Sequence, residues 1–141
     1  DGAGAGEYRG GSGAVRVYRS MNENQTFTAS FGRNKWPVWG AAGGKDGSVN
    51  YFQFIDADGT VSEPMGIAAR RIMNTNDVVR MVTATGGGYG NPFKRPAEKV
   101  AMDVKNEYIT VEQAKADYGV LVDPETFKVL GLTEERQKAE K

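Results

Sequence analysis

Glycine placement constrains this chain more than any other feature. All but Gly119 and Gly131 of its nineteen glycines lie in residues 1–92. A glycine inside a helix costs about 1 kcal/mol relative to alanine, and its natural places are turns and close backbone approaches. Short strands and turns are therefore expected up to residue 92, and helices only after it. The division is one of architecture: residues 1–92 form a Gly-rich β region, and residues 93–141 a helical tail packing on it within one domain. The expected fold class is α+β, mainly antiparallel β arranged as a sandwich or partial barrel, followed by a two-helix C-terminal tail.

Alternation of apolar and polar residues places the strands. Ala14–Arg19 sets Ala14, Arg16 and Tyr18 against Val15, Val17 and Arg19, and Gln25–Phe31 gathers Phe27, Ala29 and Phe31 on one side. Val49–Ile55 is apolar on both faces and ends at Asp56-Ala57-Asp58-Gly59, a favoured turn sequence, with Thr60–Ser62 returning as a partner strand. The same four residues also resemble the start of a calcium loop, but Ile67 stands where the closing glutamate belongs, so a hairpin is expected. Arg70 and Arg71 read as adjacent strand residues pointing to opposite faces, and Asp77–Thr83 as the last strand. In the tail, Pro96 suits a first helical turn, and Ala97, Val100, Ala101 and Val104 form an apolar stripe. Thr110-Val111-Glu112-Gln113 has the capping-box pattern, and Gly119 supplies the left-handed stop of that second helix. Val120–Val122 and Phe127–Leu130 flank Asp123-Pro124 as a small hairpin, and the charged residues from Thr133 onward are expected to fray.

Composition removes whole classes of chemistry. The chain has no cysteine and no histidine, which excludes thiolate zinc sites, cysteine nucleophiles, Ser-His-Asp hydrolysis and imidazole acid–base work. Eighteen basic residues balance eighteen acidic ones, so neither nucleic acid nor an anionic membrane is indicated. No apolar run approaches the roughly 18 residues of a membrane span, and no signal peptide opens the sequence, which makes a cytoplasmic location the default expectation. The chain starts at Asp1, and it reads as a piece of something longer.

Two segments remain as candidate sites. In Thr85-Gly86-Gly87-Gly88-Tyr89-Gly90-Asn91-Pro92, consecutive glycines free backbone N–H groups to form an anion-binding nest, or serve a tight, closely packed connection. No G-x-G-x-x-G occurs, and Gly44-Lys45-Asp46 lacks the remainder of a P-loop. The segment holding Arg33, Lys35, Trp36, Trp39 and Lys45 concentrates both tryptophans with cations, either as an interface hot spot or as an aromatic lid on the sheet.

Taken in order, the glycine motif at residues 4–13, Arg33-Asn34-Lys35-Trp36-Pro37-Val38-Trp39-Gly40 with Gly43-Gly44-Lys45, Gly86-Gly87-Gly88-Tyr89-Gly90-Asn91-Pro92, and Asp117-Tyr118-Gly119-Val120 resemble the C-terminal part of the hydantoinase B/oxoprolinase family. The likeness spans about residues 4–122. Two positions depart from it: the family commonly has Asp at Asn91, and Gly at Glu107 where the first tail helix ends. The stretch between Gly44 and Asp56 differs from plain hydantoinases and points toward an acetone-carboxylase-type alpha subunit.

The resemblance implies an ATP-dependent assembly. A hydantoinase A-type ATP-binding subunit would phosphorylate an amide or carbonyl oxygen, and the B-type subunit would supply a metal-binding substrate site. ATP and a divalent metal are thus expected for the whole enzyme and neither in this fragment, because the family's ligands are expected to include histidines. No catalytic or metal-binding residue carries over, and the fragment alone is expected to be inactive. The implied partners are the N-terminal remainder of its own subunit and the A-type subunit. The implied role is a C-terminal structural and interface domain. The alternatives are a free-standing anion- or nucleotide-binding module centred on Gly86–Gly90 and a protein-interaction module using Trp36 and Trp39.

Overall fold

Alternation along Tyr51–Ile55 turns Phe52 and Phe54 to one side. In the computed structural model, which describes residues 2–139, both rings are buried. The described residues form two compact units. One comprises residues 13–37 and 49–84, here the strand unit; the other comprises residues 2–12, 38–48 and 85–139, here the glycine–helix unit. Pro92 lies inside the second. Among the described residues no helix is long and apolar enough to cross a membrane.

The strand unit contains β1 (Val15–Arg19), β2 (Gln25–Ser30), β3 (Tyr51–Ile55), β4 (Ile67–Met73) and β5 (Val78–Val82). β5 lies between β1 and β3, antiparallel to both, and β2 pairs with β4 as a separate antiparallel ribbon. Register sets Phe52 beside Met81 and Phe54 beside Val79, one apolar face of the three-stranded sheet. That face packs with Phe27, Ala29, Phe31, Ala68 and Met73. The rings meet edge to face: Phe27 lies 5.9 Å from Phe52 and 5.5 Å from Phe54. Such contacts add about 1 kcal/mol each to the burial of the rings. The sheets stay open, so the arrangement is not a closed barrel.

Two strand expectations change in detail. The return at 60–62 forms only an isolated bridge, Ile55 to Val61, because the Phe54 N–H donates to Ser62 Oγ at 2.9 Å where a ladder would use a carbonyl. Arg70 and Arg71 lie on β4, but the register shifts opposite Phe27 and Ala29. Arg70 sits at φ 51 and its N–H donates to Thr28 Oγ1, the mark of a bulge. Arg71 pairs with Asp56 at 3.0 Å and lies over the Phe54 ring.

In the glycine–helix unit a single 3-10 turn at Pro92–Lys94 leads into α1 (Ala97–Lys105) and α2 (Val111–Tyr118). Val100, Ala101 and Val104 of α1 are buried with Ile109, Ala114 and Tyr118, so the apolar stripe is the core face. Thr110 and Gln113 make both capping-box bonds, and Gly119 adopts φ 64 as the stop. β6 (Val120–Val122) and β7 (Val129–Leu132) form the expected hairpin. Its turn is held by Asp123, whose carboxylate accepts from the Thr126 and Glu125 N–H groups; the Thr126 bond comes first in holding it below the usual carboxylate range.

The expectation that the charged end frays is corrected by α3 (Glu134–Ala139). Arg136 is 5% exposed, and its guanidinium donates to the Tyr118 and Arg95 carbonyls at 3.0 and 2.9 Å. A helix leaves its last carbonyls without internal partners, and the arginine fork supplies donors to one at the end of α2.

Candidate functional site

The glycine motifs meet in the glycine–helix unit. Residues 4–11, 38–48 and 85–90 lie outside any β-ladder, with a bend at residues 6–7 and a turn at Ala42–Gly43. They are joined by isolated bridges, Tyr8 to Tyr89 and Ala41 to Tyr89, and by further backbone bonds. A strand in a sheet has two neighbours, one at each edge. The segment Thr85–Gly90 bonds in more directions. Gly86 N–H donates to Gly11, Gly88 N–H to Lys45, Tyr89 N–H to Tyr8 and Gly90 N–H to Ala41, each at 2.8 or 2.9 Å. In return, Gly4 donates to the Gly86 carbonyl and Ala41 to that of Gly88, both at 2.9 Å.

Space explains the glycines. A Cβ on Gly88 would run into the Ala5 carbonyl, one on Gly87 into that of Trp39, and one on Gly44 into that of Gly88. None of these three has a positive φ, so close approach and not a left-handed backbone demands glycine there. The result is a lattice of touching backbones. Most of the N–H groups that an anion nest would present are already donated to carbonyls.

Asn91 ends the motif. Its Oδ1 accepts from the Phe93 N–H at 2.9 Å and caps the 3-10 turn. Asparagine keeps the acceptor that an aspartate would offer and drops the charge.

Beside the lattice lies a buried ionic network that the sequence reading did not single out. Arg95 reaches Asp103 with Nε at 3.1 Å and Nη2 at 2.9 Å, and its Nη1 donates to the Glu7 carbonyl at 3.1 Å. Arg9 approaches the same carboxylate at 3.4 Å and stacks over the Tyr108 ring at 4.6 Å. Two guanidinium groups thus share one carboxylate, with all three side chains at most 15% exposed. The Tyr118 hydroxyl is buried without a hydrogen-bond partner. Burial pushes it above its ordinary range, opposed chiefly by the charge of Arg95. The one local sign was Asp103 itself, a carboxylate on the core face of α1.

The interface candidates divide between the units. Arg33, Lys35 and Trp36 are exposed in the strand unit, with Trp36 at 78%, while Trp39 and Lys45 are exposed in the glycine–helix unit. Lys45 pairs with Asp117 of α2 at 2.6 Å.

A divalent metal does not fit the residues present. The sequence has no imidazole or thiol, and among the described residues no three carboxylates gather.

Comparison with known proteins agrees with the motifs. The family model described as hydantoinase B/oxoprolinase matches residues 1–92. The B-type component of a putative D-/L-hydantoinase from a Pseudomonas species is 32% identical over 83% of this chain and 20% of its own length. The beta component of the Pseudomonas jessenii caprolactamase is 30% identical over 87% of this chain and 22% of its own. An uncharacterised protein of Methanocaldococcus jannaschii is 33% identical over 86% and 21%. The chain thus spans about a fifth of the length of these relatives.

Among solved structures, the ATP-dependent caprolactamase from Pseudomonas jessenii superposes with a TM-score of 0.72 at 29% identity, over 99% of this chain and 24% of that one. A nucleotide-free acetone carboxylase gives 0.71 at 18% identity over 98% and 22%, which establishes a shared fold. The order of the glycine motifs, the lattice they build and these matches together place this chain in the hydantoinase B/oxoprolinase family.

Proposed function

We propose that this chain is a structural and interface domain of one subunit in an ATP-dependent enzyme of the hydantoinase, oxoprolinase or acetone-carboxylase type, inactive by itself. One observation carries the reading. A region about a fifth as long as its relatives devotes its most family-like residues to a self-bonded glycine lattice, and gathers no metal-binding cluster among the described residues. Such a lattice transmits position and does no chemistry. In the whole enzyme it would hold the rest of its own subunit in register and face a hydantoinase A-type subunit, the one that uses ATP. The divalent metal and the reacting groups would lie in the remaining four fifths.

A chimera tests this. The segment of the caprolactamase beta component that matches this chain is replaced by residues 1–141. The chimera is expected to assemble and to retain ATP-dependent lactam hydrolysis, while the isolated chain shows none with ATP and caprolactam. Turnover by the isolated chain, or a chimera that folds without assembling, would overturn the reading.

A further inference from the structure

In the strand unit, β1 is bonded on one edge only. It pairs with β5, and no backbone bond between described residues reaches its other side. The Ala14 carbonyl accepts from Thr83 N–H, and Ser20 N–H donates to Asp77, so both ends of the ladder use even-numbered residues. Antiparallel bonding alternates, which turns the N–H and C=O groups of Val15, Val17 and Arg19 outward. All five residues of β1 are exposed, on both faces of the strand. A β-branched and aromatic strand bare on both faces and one edge is the surface that natural sheets normally cover or pair.

Next to it, between β1 and β2, lies a groove of about 390 Å³ that opens onto the apolar core. Tyr18, Phe27, Met73, Val79 and Met81 line it. Charge selects among occupants. β1 and β5 carry Arg16, Arg19 and Arg80 and no carboxylate, β2 carries no charge, and none of these arginines has an ion-pair partner among the described residues. Edge-to-edge pairing of two copies would bring those arginines together without a counter-charge. A segment of the remaining four fifths of the enzyme subunit has no such obstacle.

We infer that the outer edge of β1 takes up an extended segment from the remainder of the enzyme subunit, apolar on its groove side and acidic on the other. The segment adds a strand beside β1. Its backbone satisfies Val15, Val17 and Arg19, its alternate apolar side chains enter the groove, and its carboxylates face Arg19 and Arg80 on the side of the sheet opposite Tyr18. This inference rests on the reading of the chain as a domain of a larger subunit.

The probe is an end-blocked heptapeptide alternating glutamate and valine, added to the full 141-residue chain at neutral pH and read by amide hydrogen exchange. Exchange at Val15, Val17 and Arg19 is expected to slow at least about tenfold, with Arg16 and Tyr18 unchanged. The matching lysine–valine peptide is expected to do nothing. Val17→Pro removes an outward N–H that the folded chain does not use, and should abolish the slowing while leaving circular dichroism unaltered. Should that variant fail to fold, Arg19→Glu with Arg80→Glu, both on the face opposite the groove, provides the second test, by transferring the preference to the lysine peptide.

Unchanged exchange, equal slowing by the lysine peptide, or dimerisation of the free chain through this edge would overturn the inference. A chimera that still assembles while the peptide fails refutes the edge alone. A chimera that does not assemble refutes the domain reading beneath it.

Discussion

The strand unit and the glycine–helix unit reach order by opposite means. In the first, large rings are buried: Phe52 and Phe54 are at most 2% exposed and pack edge to face with Phe27. Its backbone bonds lie in ordinary ladders. In the second, part of the interior has no side chains at all, because segments 4–11, 38–48 and 85–90 touch backbone to backbone. Hydrophobic packing tolerates exchanges of similar volume and fails gradually. A lattice whose fit depends on absent Cβ atoms has no such slack. The two units should therefore respond differently to a single added or removed group.

Gly88→Val breaks the comparison most sharply. The Cβ position is already taken by the Ala5 carbonyl, so the two segments must part and give up several bonds worth about 1 kcal/mol each. The expected loss is about 5 kcal/mol, enough to unfold a marginally stable unit. Hydrogen exchange resolved by segment should show residues 2–12 and 85–139 opening, while β3 and β5 keep most of their protection. Phe52→Ala is the converse. Emptying a fully buried ring site costs about 3–5 kcal/mol and should open the strand unit first, read in the same experiment. If both variants unfold both units together, the division into two energetically distinct parts is wrong.

How far this could be read beforehand follows from the same contrast. β1, β2, β3 and β5 were legible because their alternation is local, as were the Thr110–Gln113 capping box and the stop at Gly119. The lattice was visible only as composition. Gly88 needs to be glycine because of Ala5, and nothing near Gly88 in sequence says so. The same distance hid the ionic network, in which Arg9 and Arg95 converge on Asp103 from separate segments. Arg136 was misread for a related reason: a charged residue in a charged tail looks solvated until the carbonyls of Tyr118 and Arg95 are placed beside it.

A smaller effect sharpens the picture of the helical part. Glu107 closes α1 at φ 60, a left-handed conformation in which a Cβ costs about 1 kcal/mol. The resemblance to the family led to the expectation of glycine there. Glu107→Gly should raise stability by about 0.5–1 kcal/mol in urea unfolding, with hydrogen exchange slowing in α1 and not in the strand unit. An unchanged or lower stability would show that its side chain makes a compensating contact.

The least effect belongs to Tyr118, and its pH dependence gives it away. The hydroxyl is buried beside Arg9, Arg95 and Asp103 without a hydrogen-bond partner. The Gly6 backbone N–H is its weakest neighbour and makes no well-formed bond to it, so removing the hydroxyl strands little, and Tyr118→Phe should change stability by at most about 1 kcal/mol at pH 7. Burial also raises the folded phenol above its ordinary value near 10. Below pH 10 both folded and unfolded forms hold the proton, and the wild type and the variant should run parallel. As the pH rises above 10, the unfolded phenol ionises while the folded one still holds its proton. Wild-type stability then falls relative to the variant, by at most about 1.4 kcal/mol per pH unit until the folded value is reached. Denaturant unfolding of both proteins between pH 7 and 11.5 measures the divergence. A gap that stays constant across that range would mean that the phenol reaches water more easily than its 1% exposure allows, and that this corner of the core is looser than the lattice beside it.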